Sequence, residues 1–435
     1  TLFSNMALAV NENFDYAYVE VENEVYIAGK SVLSKFSKIF GEAPKIVKEC
    51  KGKDLQNKEY EPICNYFIDK KEQGAFKVIL ADFVELDEGV GIVHIAPGFG
   101  EDDYWACKKA GVPLVCPVDE KGRYTEIIEA FAGRNVMEAN MDVLRYLKAE
   151  NKVILDGSIV HNYPHCWRCK TPLIYKSMDA WYFNIEKVKG KLIEKNKEIN
   201  WIPETVKQGR FGNWLNNARD WNISRNRYWS TPIPIWKCDE CGKKNVLGSI
   251  KEIADVSGIK LENLHRQYMD KVTYKCNCGG TMRRVPEVLD CWFESASVPF
   301  AQKHYPFENK EWFESHFPCD FIVEYTGQIR CWFYYLHVLA VSLFDKPAFK
   351  NCVVHGTILA KDGKKLSKSS KNYTDPMELM KKYGTDAFRL YLFRSNAIVM
   401  NDLYFDENGI KSQVQQVLLP LYNCAKFFNS YAVLD

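Results

Sequence analysis

The chain of 435 residues carries 58 Lys and Arg against 56 Asp and Glu, and 46% of its residues are hydrophobic. At roughly 150 residues per domain this length predicts about three domains, and the composition excludes disordered and fibrous classes. No apolar run reaches the roughly 18 residues of a membrane span, so an integral membrane protein is not expected. Because the formal net charge is only +2, a nucleic-acid partner would have to bind local basic patches.

Two features of the sequence bear on how the chain begins and on the compartment in which it folds. The first residue is Thr1 and no basic or apolar leader follows it, so we expect a processed chain or, as the interpretation we favour, a fragment that begins inside a domain. The 15 cysteines are an odd count, which argues against a secreted disulfide framework. A reducing cytoplasm with structural zinc accounts for them most simply.

The predicted elements of the first 157 residues form a compact α+β unit. We expect strands at 77–83, 92–96 and 112–118, and helices at 101–110 and 136–148. After residue 317 the pattern changes to strand, helix, strand at 320–323, 332–344 and 352–354, which predicts a βαβ unit and a parallel sheet. Further helices are expected at 377–383, 385–394 and 413–431.

Two close pairs of cysteines predict a structural zinc site. The pairs are Cys238 with Cys241 and Cys276 with Cys278. Each short turn places two thiolates on one side of a tetrahedral ion, and four protein ligands leave no open position for a substrate. Residues 237–285 hold few apolar runs, so we expect this segment to need the metal. Cys166 and Cys169 form half of a similar site, either an orphan pair or one whose partner pair lies upstream of Thr1.

A second candidate site is the segment 361–371, which contains five lysines and three serines. Ammonium groups and backbone N–H donors at that density can neutralise a polyphosphate. A solvated surface loop would have the same composition. Composition alone leaves both interpretations open.

Several strings in the chain resemble the isoleucyl-tRNA synthetases among the class I aminoacyl-tRNA synthetases. Residues 365–369 resemble the KMSKS signature, with Leu366 in place of Met. Residues 209–234 are similar to NWLENARDWxISRxRxWGTPIP, 288–295 to VLDVWFDSG and 324–333 to EGxDQTRGWF. Residues 91–103 resemble the GIVHIAPGFGEDD of the isoleucyl editing domain, and 1–5 resemble the end of its Thr-rich segment. The resemblance covers nearly the whole chain.

The fold implied by this resemblance is α/β. It consists of the second half of a class I Rossmann-type catalytic domain, an α+β editing insertion, a zinc knuckle and the start of an α-helical bundle. The implied segments are an editing domain (1–157), an editing stem with the half zinc site (158–200), a catalytic Rossmann segment (201–236), a zinc-binding knuckle insertion (237–285), the second Rossmann half (286–362), a KMSKS loop with stem-contact region (363–405) and the start of the anticodon-binding bundle (406–435).

The resemblance also assigns roles to individual residues. The two catalytic lysines would contact the ATP phosphates, two polar residues would bind the aminoacyl-adenylate, and two tryptophans would wall the isoleucine pocket. In that order these residues are Lys365 and Lys368, Glu324 and Gln328, and Trp292 and Trp332. In editing, Asp103 would anchor the ammonium group of a misattached valine beside His94, with Thr1 near the reacting ester. The alternative for Asp102 and Asp103 is capping of the helix that begins there.

Four positions depart from the family pattern. Gly327 stands where the family has Asp, which leaves the ribose contact without its usual carboxylate. Tyr325 and Cys331 replace glycines, and Ala296 replaces the Gly that follows the VLDVWFDS string. No HIGH signature occurs in the chain, so we do not expect this chain by itself to aminoacylate.

The implied function is ATP-dependent activation of isoleucine and its transfer to tRNA(Ile), with hydrolytic editing of valyl-tRNA(Ile). The implied cofactors are Zn²⁺ and Mg²⁺ with ATP, and the partners are tRNA(Ile), ATP and isoleucine. A monomer in the cytoplasm, without membrane contact, is expected. Two alternatives remain open: a valyl- or leucyl-specific relative, and a non-enzymatic zinc-containing module that binds nucleic acid through basic and aromatic residues of 210–229.

Overall fold

The computed structural model describes residues 1–435 apart from 22, 41–42, 87–88, 159, 368–371 and 433–435, and the side chains of 36–37 are outside that description. The chain forms two compact units, Thr1–Asp179 and Ala180–Asp435. Of the helices described, none has the length and apolar character that a membrane span requires. The division into seven segments stays a prediction.

The first unit combines two small sheets with three helices. Its elements are β1 (Ala7–Val10), β2 (Asp15–Val21), β3 (Glu24–Gly29), α1 (Leu33–Phe40), β4 (Lys45–Lys51), β5 (Lys77–Leu80), β6 (Val93–Ile95), α2 (Glu101–Ala110) and α3 (Asn140–Ala149). One sheet has the order β5-β1-β6, in which β1 runs parallel to β5 and antiparallel to β6. The other is the antiparallel sheet β3-β2-β4.

The core of the first unit lies around the sheet β5-β1-β6. Met6, Phe76, Ile95 and Ile128 are among its fully buried side chains. This core places the end of β6, and the loop into α2, directly beside the segment that precedes β1, because β1 pairs with β6. Two stretches of sequence that are about 90 residues apart in number, 1–5 and 94–103, are therefore neighbours.

The second unit contains the remaining elements. They are β7 (Tyr182–Phe183), α4 (Lys189–Asn196), β8 (Asn200–Ile202), α5 (Thr205–Gln208), α6 (Arg210–Asn217), β9 (Trp221–Asn222), β10 (Ser224–Arg225), β11 (Ile235–Cys238), β12 (Lys244–Val246), α7 (Ile250–Ser257), α8 (Arg266–Met269), β13 (Thr273–Lys275), β14 (Thr281–Arg284), β15 (Val288–Leu289), α9 (Cys291–Ala301), α10 (Lys310–His316), β16 (Cys319–Tyr325), α11 (Trp332–Phe344), β17 (Phe349–His355), β18 (Ile358–Leu359), α12 (Pro376–Tyr383), α13 (Thr385–Phe393), β19 (Leu403–Tyr404), α14 (Glu407–Gln413) and α15 (Leu419–Tyr431). A short π-helical stretch, Val414–Leu418, joins α14 to α15.

A parallel sheet of order β16-β17-β8 organises the core of the second unit. The helix α11 connects β16 to β17, as the βαβ pattern predicts, and it is apolar on all sides because it is buried on nearly all sides. Trp201, Phe211, Phe333 and Phe349 interlock beneath the sheet with ring centroids 4.7–6.2 Å apart. This packing holds the carboxyl end of β16, where Glu324 lies, against the start of α11.

Residues 235–284 form a small antiparallel sheet of order β12-β11-β14-β13. It buries a core of its own, with Trp236, Val272 and Met282 at its centre. The buried guanidinium of Arg284 pairs with Asp270 and also donates to the carbonyl oxygen of Glu287 at 2.8 Å. The segment therefore buries more apolar surface than its sequence indicates.

Most of the predicted helices are confirmed, and one predicted strand is wrong. The helix 101–110 has the predicted bounds and ends at Gly111, whose φ of 70° is the left-handed conformation that favours glycine. The stretch 112–118 is not a strand, because Pro113 and Pro117 have no N–H to donate to a ladder. Its Val112 and Val115 are buried all the same, which explains the apolar pattern.

Candidate functional site

Three polar residues meet at the end of β6 in the first unit. His94 is half-buried, and its Nε2 lies 3.2 Å from the hydroxyl oxygen of Thr1. Its Nδ1 lies 2.7 Å from Nδ2 of Asn5. Burial lowers the pKa of His94 well below its usual range. The imidazole is therefore neutral at physiological pH.

Asp103 reaches the same region from the first turn of α2. Its Oδ2 accepts a hydrogen bond from the backbone N–H of Ala96, 2.8 Å away and two residues beyond His94. Burial raises the pKa of this carboxyl group. The N-cap position of α2 is Gly100, so Asp103 is not the N-cap residue, while Asp102 is exposed. The carboxylate thus fixes the loop between β6 and α2.

An apolar cavity of about 790 Å³ opens beside this cluster. Thr1 lines it together with Ile63, Val143 and Leu147. The ammonium groups of Lys35 and Lys152 are the charged groups in its lining. A cavity of this kind accommodates an aliphatic group beside Thr1, the member of the polar cluster that lines it.

Glu324 and Gln328 lie near the carboxyl end of β16, and their side chains make different hydrogen bonds. Glu324 Oε2 accepts from the N–H of Tyr325 at 2.9 Å. Gln328 lies in a 3₁₀ turn, Thr326–Arg330, and its Oε1 accepts from the N–H of Trp332 at 3.0 Å. In this structure Gln328 therefore caps the start of α11.

Two of the four departures from the family pattern are linked in space. A Cβ atom built on Gly327 would overlap the ring of Tyr325. The tyrosine thus fills the space that a side chain at position 327 would need, and an aspartate there is incompatible with this ring position. Ala296 is buried in the core, where it contacts the cluster around α11.

The two tryptophans predicted to wall the isoleucine pocket pack against the core of the second unit. Trp292, on α9, stacks on Tyr335 with ring centroids 5.7 Å apart. Trp332, at the start of α11, packs beside Phe333. Both pack against the core and remain half-buried, so part of each side chain is accessible.

A second cavity, also of about 790 Å³, lies along the turn Thr326–Arg330. Arg210 and Arg330 line it, with Asn213 and Trp214 between them. The guanidinium of Arg210 donates to the Thr326 hydroxyl at 2.6 Å, and that of Arg330 lies 5.1 Å from the centre of the Trp214 ring. Two guanidinium groups on one cavity favour an anionic ligand.

The Lys/Ser segment is described only as far as residue 367. Lys365 is exposed and bridges to Leu359, while Lys368 lies outside the described residues. Asn372 closes the segment, because its Oδ1 accepts from the N–H of Ser367 at 3.0 Å and its Nδ2 donates to the carbonyl oxygen of Lys365 at 3.1 Å. Neither of these contacts was predicted from the sequence.

The four cysteines of the predicted zinc site converge in the second unit. Their sulfur atoms all lie within 4.8 Å of one another, with Cys238 and Cys278 at 3.5 Å and Cys241 and Cys276 at 3.8 Å. Zinc–sulfur bonds of about 2.3 Å in a tetrahedron place the sulfurs about 3.8 Å apart, so the arrangement fits the ion. Backbone N–H groups of Cys241 and Glu240 lower the pKa of Cys238, whereas the neighbouring thiols raise that of Cys278, so the four groups share their protons until an ion replaces them.

The turn at Cys166 has the same hydrogen-bond pattern as the turn at Cys238. In one turn the N–H of Cys166 donates to the carbonyl of Thr171 and the N–H of Lys170 donates back to Cys166, at 2.8 and 2.9 Å. In the other turn, the N–H of Cys238 donates to the carbonyl oxygen of Lys243 at 2.8 Å, and the N–H of Gly242 donates to the carbonyl oxygen of Cys238 at 3.2 Å. The Thr171 hydroxyl lowers the pKa of Cys169 to about 7.

Two members of the first cluster were missed from the sequence. Asn5 precedes an apolar run and Tyr60 lies between two glutamates, and neither belongs to a spacing pattern that indicates chemistry. The contact of Asn5 with His94 arises from the pairing of β1 with β6. Tyr60, which donates to Asn5, lies on the chain that leads into β5. The buried asparagine directly before the apolar β1 was the one available signal.

Residues 3–406 match the family described as tRNA synthetases class I (I, L, M and V). The chain therefore belongs to the class I aminoacyl-tRNA synthetases of that group, and it has the α/β catalytic fold of the class. This membership excludes the alternative of an unrelated nucleic-acid-binding module.

The similar curated proteins are isoleucine–tRNA ligases. The chain is 47% identical over 450 residues to that of Treponema denticola, covering 100% of this chain and 41% of the relative. It is 48% identical over 436 residues to that of Chlamydia trachomatis, covering 100% of this chain and 42% of the relative. A ternary LeuRS–tRNA–LeuAMS complex from Agrobacterium radiobacter matches with 16% identity and a TM-score of 0.38, over 98% of this chain and 50% of that chain. The chain thus spans about two fifths of the length of its curated relatives.

Proposed function

We propose that the protein containing this chain activates isoleucine with ATP, transfers it to tRNA(Ile) and hydrolyses valyl-tRNA(Ile). The observation that carries the proposal is the identity of 47–48% to isoleucine–tRNA ligases along the whole chain. The motifs quoted from the sequence support isoleucine over valine or leucine. We also propose that this protein is a monomer and that it acts in the cytoplasm.

In the synthetic reaction the isoleucine carboxylate attacks the α-phosphate of ATP and pyrophosphate leaves. Such a reaction needs position and charge stabilisation and no covalent enzyme intermediate. Lys365 and Lys368 would neutralise the leaving pyrophosphate together with Mg²⁺, and Glu324 would bind the substrate ammonium group. Gln328 would contact the adenylate while holding the start of α11. Trp292 and Trp332 would present their free faces to the isoleucine side chain.

Editing follows from the limits of an apolar pocket. One methylene group is worth about 10- to 200-fold in discrimination, so a pocket that fits isoleucine admits valine. In the editing reaction Asp103 would bind the ammonium group of the misattached valine, and water would attack the ester near Thr1 and His94. The apolar cavity beside Thr1 supports an editing site here, since it offers an aliphatic side chain a place next to Thr1.

Zinc would have a structural role. Cys238, Cys241, Cys276 and Cys278 would form a closed site without a position for substrate, and the ion would stabilise the two turns that carry them. Cys166 and Cys169 would supply half of a second site, because their turn already has the hydrogen bonds of the Cys238 turn. The metal would take no part in either reaction.

The activation reaction is tested by isoleucine-dependent exchange of pyrophosphate into ATP, with the chain joined to the rest of its protein. We expect exchange with isoleucine, weaker exchange with valine and none with leucine. The chain by itself should give none, since it lacks the HIGH signature. Exchange that prefers valine or leucine would establish the other specificity and overturn the proposal.

The editing function is tested separately with Asp103→Ala in the full-length protein. We expect isoleucine activation to be unchanged while valyl-tRNA(Ile) accumulates, because the ammonium group loses its anchor. The control is Asp102→Ala, which alters the exposed neighbour in the same turn of α2. If Asp103 only stabilises the loop at Ala96, both variants will deacylate valyl-tRNA(Ile) normally and the first will unfold more easily.

A further inference from the structure

The side chain of Asn5 has only one possible orientation. The residue is 5% exposed, and its Nδ2 donates to the carbonyl oxygen of Ala7 at 3.0 Å. A carbonyl oxygen accepts hydrogen bonds and cannot donate them, so the atom that faces Ala7 must be the amide nitrogen. The same nitrogen lies 2.7 Å from Nδ1 of His94. Its second N–H therefore points at the imidazole.

This orientation determines the tautomer of His94. Nδ1 must accept a hydrogen bond from Asn5, so it carries a lone pair and the single proton of the neutral ring is on Nε2. Nε2 lies 3.2 Å from the Thr1 hydroxyl oxygen. The imidazole thus presents a donor N–H, and no free lone pair, on the side of Thr1.

Tyr60 holds the other end of the amide. Its hydroxyl donates to Oδ1 of Asn5, and burial raises the pKa of the phenol, so the proton stays on the oxygen. The residue is itself fixed, because its N–H donates to the carbonyl oxygen of Phe76 at 3.0 Å and its ring lies edge-on to the Phe76 ring. Both heteroatoms of the buried amide are therefore paired.

We propose that His94 acts in this site as a fixed Nε2–H hydrogen-bond donor rather than as a general base, and that Tyr60 is the positioning residue that maintains this state through Asn5. The consequence of this state for the reaction rests on the proposed editing function. In that reaction His94 donates a hydrogen bond to an oxygen of the ester or of the tRNA ribose beside Thr1. In the hydrolysis the oxygen of water bonds to the ester carbon and the bond from that carbon to the ribose oxygen breaks. The water proton passes to the leaving ribose oxygen, because both imidazole nitrogens are already committed.

The tautomer is measured by solid-state NMR of the full-length protein labelled with ¹⁵N-histidine, with the His94 signals identified by their loss in His94→Gln. We expect a protonated Nε2 and an unprotonated Nδ1 at neutral pH. A proton on Nδ1 in the wild-type protein would overturn the proposal. In Asn5→Asp a carboxylate replaces the amide donor, so the proton should move to Nδ1.

The role of Tyr60 is tested by Tyr60→Phe, which keeps the ring on Phe76 and removes the hydroxyl. We expect a mixture of His94 tautomers and deacylation of valyl-tRNA(Ile) slowed by about 5-fold, the effect of one lost neutral hydrogen bond. The matched control is Tyr16→Phe, which removes a buried hydroxyl that donates to the carbonyl oxygen of Gly91 at 2.7 Å in the same unit. It should change neither quantity.

The two readouts separate this inference from the function on which it rests. A wild-type protein that shows the Nε2–H tautomer but does not hydrolyse valyl-tRNA(Ile) would refute editing and leave the assignment of the tautomer intact. A Tyr60→Phe protein with an unchanged tautomer and unchanged deacylation would refute the positioning role, whether or not editing occurs. A loss of deacylation equal to that of Tyr16→Phe would show a general effect on stability and would also refute it.

Discussion

The ring of Tyr325 lies where a side chain at position 327 would be. Because the two positions exclude one another, the glycine at 327 and the tyrosine at 325 must be considered together. Because Tyr325 is 39% exposed and its ring can turn aside, we expect Gly327→Asp to destabilise the second unit by less than the roughly 1–3 kcal/mol that overpacking costs in a core. Adding Tyr325→Gly to that variant should restore most of the loss.

Thermal unfolding of the two single variants and the double variant measures this coupling. Gly212→Ala is not a suitable control, because a Cβ there would approach the carbonyl oxygen of Lys207 at 2.8 Å. Gly190→Ala is suitable, because no atom lies within 4 Å of its added Cβ. Additive effects of the changes at 325 and 327 would contradict the proposed exclusion.

His337 makes the second unit sensitive to acid. Its Nε2 donates to the carbonyl oxygen of Leu192 at 2.9 Å, and its buried Nδ1 has no partner among the residues described. Burial lowers its pKa from the ordinary 6.5 to about 4. Between these values the unfolded chain binds a proton that the folded chain excludes, so the free energy of unfolding falls as the pH is lowered, by at most about 1.4 kcal/mol per pH unit.

This contribution is complete above pH 6.5 and is lost as the pH falls towards 4. The measurement is urea unfolding across that range, followed through amide exchange of residues 332–344. His337→Leu should make the stability of the second unit less dependent on pH, whereas the exposed His161→Leu should not. An unchanged pH dependence in the first variant would refute the assignment.

At the scale of elements, the zinc-binding segment joins a metal site to a small hydrophobic core. We expect Cys276→Ser to lose about one equivalent of zinc and to loosen residues 235–284, because structural zinc contributes on the order of 10 kcal/mol to the folding of small modules. The buried Trp236 and Met282 should retain part of the sheet. Metal analysis and limited proteolysis measure the two effects.

Cys424→Ser is the matched control, since Cys424 is exposed on α15 and lies far from the cluster in sequence. It should keep the full zinc content. Zinc content that is the same in both variants would exclude the four-cysteine site.

The elements that could be predicted from the sequence are those with a strong local pattern. Trp332–Phe344 is a helix with the predicted bounds because its thirteen residues form one predominantly apolar run without Asp, Glu, Lys, Arg, Gly or Pro. The parallel strands on either side of it follow from the short apolar runs that flank it. The sheet β3-β2-β4 was not predicted, because its strand β4 is almost entirely exposed and has no apolar alternation.

The candidate sites also differ in how far the sequence predicts them. The cysteine cluster could be predicted, since spacing within each pair carries the information. The approach of Thr1 to His94 followed only from the family resemblance, and the parts played by Asn5 and Tyr60 could not be predicted at all. Those contacts depend on strand pairing between residues that are far apart in sequence, for which a single sequence holds no local signal.

At the scale of the whole molecule, each of the two units has a core of its own. We expect Phe76→Ala to reduce protection from hydrogen exchange in residues 1–179 only, and Phe349→Ala in 180–435 only. Each removes a buried aromatic side chain, at a cost of about 3–5 kcal/mol. Mass spectrometry of the exchanged peptides measures both, and an equal loss of protection in both units would contradict their independence.

The boundary between the units shows why domain limits are hard to predict. The family resemblance implies an editing stem at 158–200, and residues 158–179 of that range belong to the first unit. The N–H of Ser177 donates to the carbonyl oxygen of Gly98 at 2.7 Å, and Lys176 pairs with Glu120 at 3.1 Å. These ties join residues more than fifty positions apart, and their polar sequence gives no indication of them.

The spacing of the sulfur atoms in the cysteine cluster has a consequence for oxidation. Thiols that lie 3.5 and 3.8 Å apart need to move by less than 2 Å to form disulfide bonds of about 2.05 Å. A bound ion occupies the sulfur lone pairs and protects them from oxidants. If a chelator removes the ion in air, oxygen would therefore oxidise the free thiols to disulfides, and added zinc would no longer bind. A reductant present during that step would preserve the capacity to bind zinc again.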